Sequence, residues 1–101
     1  KDLVMRFAPN PNGPLSIGRC RQAVWNWFFV NKYNGKFILR YDDTDPKIKV
    51  PLKESYKWIA EDLNWLGIKP HQIVIQSSRL KTYYKYALEL IRKDCAYVCT
   101  C

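Results

Sequence analysis

A loop rich in proline and glycine, residues 9–14, separates an apolar run from a long helical pattern, and it limits the folds open to this chain. The run Leu3–Phe7 is apolar enough for a buried parallel strand, which the prolines and the glycine must end. Ser16 stands where it can cap the helix that follows. The first amides of a helix lack internal partners and carry partial positive charge, so we expect a phosphate or carboxylate near Gly18.

Strand and helix patterns alternate after this loop. Apolar residues at spacings of three and four predict a first helix to about Tyr33, ended by Asn34 and Gly35. The expected apolar face of this helix comprises Ile17, Cys20, Val24, Trp27 and Phe28. The β-rich segment Lys36–Tyr41 predicts a second strand, parallel to the first because a helix connects them. These elements form a βαβ unit.

The second half of the chain continues the alternation. A second helix is predicted by the stripe Leu52, Tyr56, Ile59, Leu63 and Leu66, and it ends at Gly67. Ile73–Ile75 predicts a third strand, and Ser77 or Ser78 can cap a third helix. The expected stripe of that helix is Leu80, Tyr84, Ala87, Leu88 and Ile91. Residues 96–98 could begin another extended segment. The pattern predicts an α/β parallel sheet with its ligand at the carboxyl ends of the strands.

Composition favours an anionic partner. The 101 residues include 17 Lys and Arg against 9 Asp and Glu, a formal net charge of +8. The sequence has neither a membrane-length apolar run nor the apolar core of a signal peptide, so we expect a cytoplasmic protein without membrane attachment. With no sign of secretion, the four cysteines are expected to be reduced thiols or metal ligands, and Cys20 to pack in the core.

The chain also has the features of a fragment. A sheet of about three short strands leaves edges and faces that so few residues hardly cover. We therefore expect a boundary of a larger domain at Cys101. Exposed Trp25, Trp58 or Trp65 would mark surfaces covered by a missing half or by self-association with a second copy of the chain.

Specific motifs resemble a known family. The loop, read together with Leu39–Pro46, resembles the glutamyl-tRNA synthetases of the archaeal and eukaryotic type, a group that includes the glutaminyl enzymes. Three further segments agree with this resemblance: Glu61–Gly67, Ile75–Arg79 and Ala96–Cys101. The resemblance implies the N-terminal half of a class I catalytic domain, with a Rossmann-like parallel sheet and flanking helices. It also implies ATP-dependent ligation of glutamate to tRNA through glutamyl-adenylate.

The resemblance assigns a nucleotide site to the start of the first helix. Family members carry His-Ile-Gly-His there, whereas this chain has Ser16, Ile17, Gly18 and Arg19. We expect Asn10, Ser16, Gly18 and Arg19 to bind ATP with its Mg²⁺, and Ser16 and Arg19 to take the catalytic positions. A cation in the first helical turn is unfavourable by about 0.3–1 kcal/mol unless an anion neutralises it, so Arg19 is predicted to contact phosphate. The alternative is that Arg19 points into solvent or impairs catalysis.

The resemblance assigns an amino-acid pocket to the same region. Arg6 is expected to bind the side-chain carboxylate of the substrate, a task that suits a planar guanidinium. The residues Ala8 and Asn10 would line the pocket, and Asp42 would receive the α-ammonium group. Tyr41 is a candidate for the pocket wall.

The other polar residues are interpreted as turn, cap or solvated surface residues. Asp42, Asp43 and Asp45 do not have the spacing of an EF-hand, and Asp45 and Thr44 are expected to form a turn or a cap. His71 is interpreted as a solvated loop residue rather than a general base, and the lysines of the later helices as solvated faces.

The cysteines near the end of the sequence suggest half of a metal site. Cys99 and Cys101 resemble the first half of a zinc knob found in some family members. Two thiolates are half of a tetrahedral set, so zinc is expected only in a longer protein.

Several functions stay open at this point. A glutaminyl-tRNA synthetase fragment is the near alternative, although its loop usually has Asn where this chain has Asp45. A non-catalytic remnant that binds nucleotide or RNA is another, suggested by Ser16 and Arg19. A dinucleotide-dependent oxidoreductase is disfavoured because no Gly-x-Gly-x-x-Gly follows the first strand. The expected partners of the longer protein are ATP, glutamate and tRNA, and the fragment alone is expected to have little or no aminoacylation activity.

Overall fold

Three short parallel strands form one sheet in the computed structural model, which describes residues 2–101. The sheet order is β1-β2-β3, with Met5 opposite Phe37 and Leu39 opposite Ile73. The elements along the chain are β1 (Val4–Phe7), α1 (Ile17–Lys32), β2 (Lys36–Tyr41), α2 (Lys53–Trp65), β3 (Gln72–Ile75), a 3₁₀ turn (Ser77–Arg79) and α3 (Leu80–Arg92). The predicted α/β fold and the parallel β1-α1-β2 unit are confirmed.

The central strand β2 supplies the middle of the core. Phe37, Leu39 and Tyr41 are buried, as the two-residue period of a strand requires when one face packs against helices. The other buried apolar residues are Phe7, Ala23, Val30, Ile59, Leu63 and Ile68. This packing places the carboxyl ends of β1 and β2 beside the start of α1.

The buried face of α1 differs from the predicted one. Ala23 and Val30 are buried, and Trp27 packs against the core, whereas Ile17 is 91% exposed. Cys20 is only half-buried, so its assignment to the core is corrected. The small side chain of Ala23 lets the helix lie close to the sheet, so the bulkier apolar residues Val24 and Phe28 remain outside.

Turns after α1 and α2 form as predicted. Asn34 has a positive φ of 51°, and the amide of Gly35 donates to the carbonyl of Val30 at 2.8 Å. A Cβ at Gly35 would lie 2.6 Å from the carbonyl oxygen of Leu3, so only glycine fits there. Gly67, with a φ of 74°, ends α2 in the left-handed conformation that favours glycine.

The serines before α3 do not cap it. Ser77 lies in the 3₁₀ turn and donates through its hydroxyl to Asp43, while the hydroxyl of Ser78 donates to the carbonyl of Ile75. The helix begins at Leu80, with Arg79 at the N-cap position and no side-chain cap hydrogen bond. Residues 96–98 do not form a strand.

Large apolar side chains remain on the surface. Trp25 is 58% exposed, Trp58 39% and Trp65 85%, so all three lie on the surface. In α3, no residue is buried within the part of the chain that the structure describes. Between residues 2 and 101, no helix combines the length and apolar character needed to cross a membrane.

Candidate functional site

A polar hollow of about 370 Å³ opens where β1 and β2 end beside α1. It is lined by Phe7, Ala8, Pro9, Asn10, Arg19, Gln22, Asp42, Thr44, Asp45 and Lys49. This location is the one expected for a ligand of a parallel sheet, at the carboxyl ends of the strands. Four residues that the sequence assigns to the nucleotide site or the amino-acid pocket therefore meet here: Ala8, Asn10, Arg19 and Asp42.

The end of β2 fixes the first half of the loop. The amide of Asp42 donates to the carbonyl of Pro9 at 2.9 Å, and Nδ2 of Asn10 donates to the carbonyl of Asp42 at 2.8 Å. The Oδ1 atom of Asn10 is buried and has no hydrogen-bond partner within residues 2–101. Asn10 therefore has a structural role as well as a place in the hollow.

The segment before α2 and α2 itself fix the second half of the loop. The amide of Leu52 donates to the carbonyl of Pro11 at 2.9 Å. The amide of Leu15 donates to Oδ2 of Asp62, also at 2.9 Å. Pro11 is among the fully buried residues. The loop is thus held at each end by a different element.

Arg19 lies over the loop and does not extend freely into solvent. Its Nη1 atom is 3.3 Å from the carbonyl oxygen of Asn10 and 3.4 Å from Oδ1 of Asn12. These oxygens carry partial negative charge, which offsets the unfavourable position of a cation in the first turn of α1. The solvent-pointing alternative is therefore wrong, and the guanidinium lines the hollow.

Ser16 and Gly18 lie at the entrance of α1 and outside the lining of the hollow. Ser16 occupies the N-cap position, but its side chain makes no cap hydrogen bond, so the predicted side-chain cap is wrong. The first turn of α1 contains no acidic residue in this described segment. A Cβ added to Gly18 would meet nothing within 4 Å, so the space over this residue is open.

The carboxylate of Asp42 is paired with Arg40. Nη2 of Arg40 lies 3.0 Å from Oδ1 and 3.2 Å from Oδ2 of Asp42. Both side chains are partly accessible, at 21% for Arg40 and 39% for Asp42. Asp42 therefore faces the hollow with its orientation fixed by a neighbouring cation.

Arg6 lies in a second hollow next to the first. This hollow, of about 470 Å³, is lined by Arg6, Phe7, Ala8, Gln22, Trp25 and Asn26. Phe7, Ala8 and Gln22 line both hollows. Nδ2 of Asn26 donates to the carbonyl of Arg6 at 3.1 Å and joins the end of β1 to α1. The structure thus places Arg6 and Asp42 in two adjoining hollows that share Phe7, Ala8 and Gln22.

Tyr41 belongs to the core and does not form the pocket wall predicted for it. It is 4% exposed, and its hydroxyl donates to the carbonyl of Tyr56 at 2.8 Å. Strand alternation explains the correction, because Asp42 faces the hollow and the preceding residue must face away from it.

Asp43 has a structural role, because its side chain links Tyr56 and Ser77. Its carboxylate accepts hydrogen bonds from the hydroxyl of Tyr56 (2.8 Å) and from the amide (2.7 Å) and hydroxyl (2.6 Å) of Ser77. Burial alone would raise the pKa of Asp43, but these hydrogen bonds outweigh it and lower that pKa. The pKa of Tyr56 is raised to about 12 by burial, by its hydrogen bond to Asp43 and by the negative charge of Asp43.

Asp45 forms the turn that the sequence predicts. Its carboxylate accepts the amides of Lys47 and Ile48 at 3.0 Å and that of Lys49 at 3.2 Å. Backbone hydrogen bonds, first that of Ile48 and then that of Lys47, lower the pKa of Asp45. The turn also brings Lys49 to the lining of the hollow.

His71 continues the pairing of β2 with β3. Its amide donates to the carbonyl of Phe37 at 2.9 Å, and its Nδ1 atom accepts the amide of Phe37 at 3.0 Å. Its ring centroid lies 6.1 Å from that of Trp27. His71 is exposed as predicted, but it is a strand-end contact rather than a merely solvated loop residue.

Cys99 and Cys101 are exposed neighbours near the end of the described residues. Hydrogen bonding from the side chain and backbone of Cys101 lowers the pKa of the Cys99 thiol. Within residues 2–101, no three side chains of His, Cys, Asp or Glu are grouped to hold a metal ion. The described chain thus offers two thiols of the four ligands that a structural zinc site needs.

Sequence reasoning overlooked several site residues. Arg40 could have been found, because residues two apart on a strand share a face, which places it beside Asp42. Gln22 lies three residues after Arg19 on α1, again on one face. Asp62 carried no local signal, since its partner Leu15 is 47 residues away.

Almost the whole chain matches known proteins of a single family. The profile of the family described as "tRNA synthetases class I (E and Q), catalytic domain" matches residues 2–101. The glutamate–tRNA ligase of Pyrococcus horikoshii is 58% identical over 99 residues, 98% of this chain and 17% of that protein. The corresponding ligase of Methanocaldococcus jannaschii is 58% identical over 99 residues, 98% of this chain and 18% of that protein. The chain thus spans less than a fifth of the length of these curated relatives.

Solved structures of similar proteins have the same fold as this chain. The glutamate-tRNA synthetase of Elizabethkingia anophelis superposes with a TM-score of 0.84 and 31% identity, over 91% of this chain and 20% of that one. A glutamate tRNA ligase of Elizabethkingia meningosepticum, solved in complex with its amino acid, gives a TM-score of 0.82 and 30% identity over 91% of this chain and 20% of that one.

Proposed function

This chain belongs to the family of class I tRNA synthetase catalytic domains for E and Q, and we propose from this that residues 1–101 form the N-terminal part of such a domain in a longer glutamate–tRNA ligase. In this proposal, later segments of the longer protein cover the exposed aromatic side chains. The relatives named glutamate–tRNA ligase support glutamate as the amino acid.

The proposed reaction has two steps. An oxygen of the α-carboxylate of glutamate attacks the α-phosphorus of ATP, and the bond from that phosphorus to the β-phosphate breaks. Glutamyl-adenylate forms and pyrophosphate leaves. A hydroxyl of the terminal adenosine of tRNA then takes the glutamyl group, and AMP is released. Positioning and charge neutralisation provide the catalysis, so the chain needs no nucleophile of its own.

The two adjoining hollows suit the ends of glutamate. Asp42 would receive the α-ammonium group, and Arg6 would bind the side-chain carboxylate through its planar donors. Ala8 lines both hollows, and its small side chain leaves room for the aliphatic part of the substrate. Asn10 would complete the lining, with its amide held by the carbonyl of Asp42.

The start of α1 suits the phosphates of ATP. The open space over Gly18 allows close approach to the helix amides, and the hydroxyl of Ser16 is free of a cap bond in this segment. Arg19 would contact phosphate oxygens with guanidinium N–H groups, since it already lines the hollow. These contacts would replace those of the two histidines in other family members.

Any Mg²⁺ would enter with the ATP phosphates. The carboxylates that face the first hollow are engaged, Asp42 with Arg40 and Asp45 with three backbone amides. The described residues therefore do not fit a protein-held Mg²⁺ site, and we assign the ion no step.

The convergence of Asp42, Arg19 and Asn10 on one hollow, beside Arg6, carries this proposal. It is tested by glutamate-dependent exchange of pyrophosphate into ATP with the complete product of the gene. Arg6→Ala and Asp42→Ala are expected to raise the KM for glutamate by at least about tenfold, as loss of a charged hydrogen bond in a binding site does. Exchange that is absent, or independent of glutamate, would contradict the proposal.

Arg19 has its own test. Arg19→His restores the family residue, and an unchanged exchange rate would mean that the guanidinium is competent in catalysis. A large gain would mean that Arg19 impairs the reaction. The same gain would favour the second candidate function, a protein that binds nucleotide or RNA without catalysis, which the replacements at Ser16 and Arg19 suggest. ATP binding without exchange in the wild-type protein would support that candidate directly.

Glutamine is the alternative amino acid. The aspartate at position 45 does not decide against it, because the turn itself explains this residue: both carboxylate oxygens accept backbone amides. An asparagine would place its amide nitrogen against one of these donors. Competition between glutamate and glutamine in the exchange assay separates the two substrates.

The remaining partners follow from this reaction. tRNA would bind the longer protein, and the charge of +8 on this chain suits its phosphates. Because ATP and tRNA are the substrates, we place the longer protein in the cytoplasm. Zinc would bind Cys99 and Cys101 only if the longer protein supplies two more ligands. The isolated chain is expected to have little or no aminoacylation activity, and substantial charging by it would contradict the domain assignment.

A further inference from the structure

A carboxylate on α2 holds the residue at which the loop enters α1. The amide of Leu15 donates to Oδ2 of Asp62 at 2.9 Å, and the two residues lie 47 positions apart. Leu15 directly precedes Ser16, and its side chain packs against the core. Resting on the proposed function, we propose that Asp62 is a positioning residue that sets the phosphate side of the ATP site.

The contacts divide the loop into two parts. Pro9 and Asn10 are fixed by the backbone of Asp42, which belongs to the amino-acid side of the site. Beyond the bond between Leu52 and Pro11 and the contact of Arg19 with Asn12, the loop is tethered next to the start of α1 by the amide of Leu15 on Asp62. Asp62 therefore acts on the half of the loop that leads into Ser16 and Gly18.

The segment between these tethers has little packing of its own. A Cβ at Gly13 would meet nothing within 4 Å, and Pro14 is exposed. Such a segment depends on its hydrogen bonds for a single conformation. The bond to Asp62 is charge-assisted and partly buried, which makes it stronger than a neutral surface bond.

Among the described residues 2–101, Asp62 takes part in no ion pair. The ion pairs within residues 2–101 join Arg40 to Asp42, Lys57 to Glu61, and Lys93 to Glu89. The adjacent Glu61 pairs with Lys57 at 3.6 Å on the exposed face of α2. Glu61 therefore provides a matched control: it has the same charge, lies on the same helix and makes no hydrogen bond with the loop within residues 2–101.

Removing the acceptor lowers the fraction of molecules whose loop is ready to bind phosphate. The apparent affinity for ATP falls by that fraction, since a ligand binds only the competent state. Asp62→Ala is expected to raise the KM for ATP by about 5- to 20-fold, while the KM for glutamate changes less than about 2-fold. Asp62→Asn keeps an amide oxygen as acceptor, so it is expected to restore the KM for ATP to within about threefold of wild type.

The test measures both KM values by pyrophosphate exchange in the full-length protein, with thermal melting as a check on folding. Asp62→Ala, Asp62→Asn and Glu61→Ala are compared; if Asp62→Ala does not fold, Asp62→Ser, whose side chain is too short to reach the amide, replaces it. A rise confined to the KM for ATP, absent in Glu61→Ala and reversed in Asp62→Asn, supports the inference. Equal changes in both KM values, or a lower melting temperature with both KM values unchanged, would overturn it.

Failure of this inference differs from failure of the proposed function. A wild-type protein without glutamate-dependent exchange contradicts the proposed function. A wild-type protein that is active, with an Asp62→Ala variant whose two KM values keep their ratio, contradicts only the role of Asp62.

Discussion

Replacing Asp43 by alanine should loosen the junction where β2, α2 and the turn after β3 meet. The carboxylate accepts hydrogen bonds from the hydroxyl of Tyr56 at 2.8 Å and from the amide and hydroxyl of Ser77 at 2.7 and 2.6 Å. These partners are 13 and 34 residues away in sequence. Asp43 thus joins segments that no continuous element connects.

The expected loss follows from counting these bonds. A hydrogen bond contributes a net stability of about 1 kcal/mol, and the charge adds little here because the contacts with Ser77 are exposed and screened by water. Asp43→Ala removes all three bonds and should lower the free energy of unfolding by about 2–3 kcal/mol. Asp43→Asn keeps one acceptor oxygen and should lower it by about 1 kcal/mol.

Urea denaturation, followed by tryptophan fluorescence, measures these differences. Asp2→Asn is the control, since Asp2 is exposed. A double-mutant cycle of Asp43→Ala with Tyr56→Phe should give a coupling energy of about 0.5–1.5 kcal/mol. A coupling energy of zero, or an Asp43→Ala variant as stable as the control, would refute the reasoning.

The stabilisation by Asp43 depends on pH and is lost in acid. The pKa of Asp43 is lowered below the ordinary aspartate value of 3.8 in the folded state, so the ionised carboxylate stabilises the fold above about pH 3.8. This stabilisation is lost as the pH falls from 3.8 through the folded pKa. The stability difference between wild type and Asp43→Asn should therefore be constant near neutral pH and shrink below pH 3.8; a difference that does not change with pH would contradict the assignment.

Three further predictions concern the fold around the site. Tyr56 should ionise with a pKa of about 12, measured by NMR of ring-labelled tyrosine, and Asp43→Asn should lower this pKa without restoring 10.0, because burial remains; no change would contradict the contact. Leu39→Ala should lower the free energy of unfolding by about 2–5 kcal/mol in urea, since a fully buried side chain is removed from the central strand, whereas an exposed leucine such as Leu88 should lose far less on the same change. Gly35→Ala should cost about 1–3 kcal/mol, because the new methyl group would lie 2.6 Å from the carbonyl oxygen of Leu3; a neutral effect in urea would mean that the backbone moves aside.

Much of the fold could be predicted because its signals are local. The β-rich composition of Lys36–Tyr41 and the glycine at position 67 each report a backbone preference of the residues themselves. The face of α1 could not be predicted in this way. The helix is apolar on more than one side, and the small Ala23 decides which side approaches the sheet.

In the candidate site, too, only part of the arrangement could be predicted from local signals. Asn10, Arg19 and Asp42 could be located, because a strand that ends in a turn before a helix fixes where the side chains lie. The hydrogen bonds that orient them could not. Asp62 and Leu15 come together only when α2 packs beside the loop, and neither residue carries a local sign of its partner.

Two tethers of the loop, those made by Asp42 and Asp62, have a consequence for how the protein is made. The first tether needs Asp42, 32 residues beyond Asn10, and the second needs Asp62, 47 residues beyond Leu15. During synthesis, β1, α1 and β2 can therefore assemble before the binding loop acquires its final shape. A nascent chain that stops short of α2 would have the scaffold of the pocket but not its finished rim.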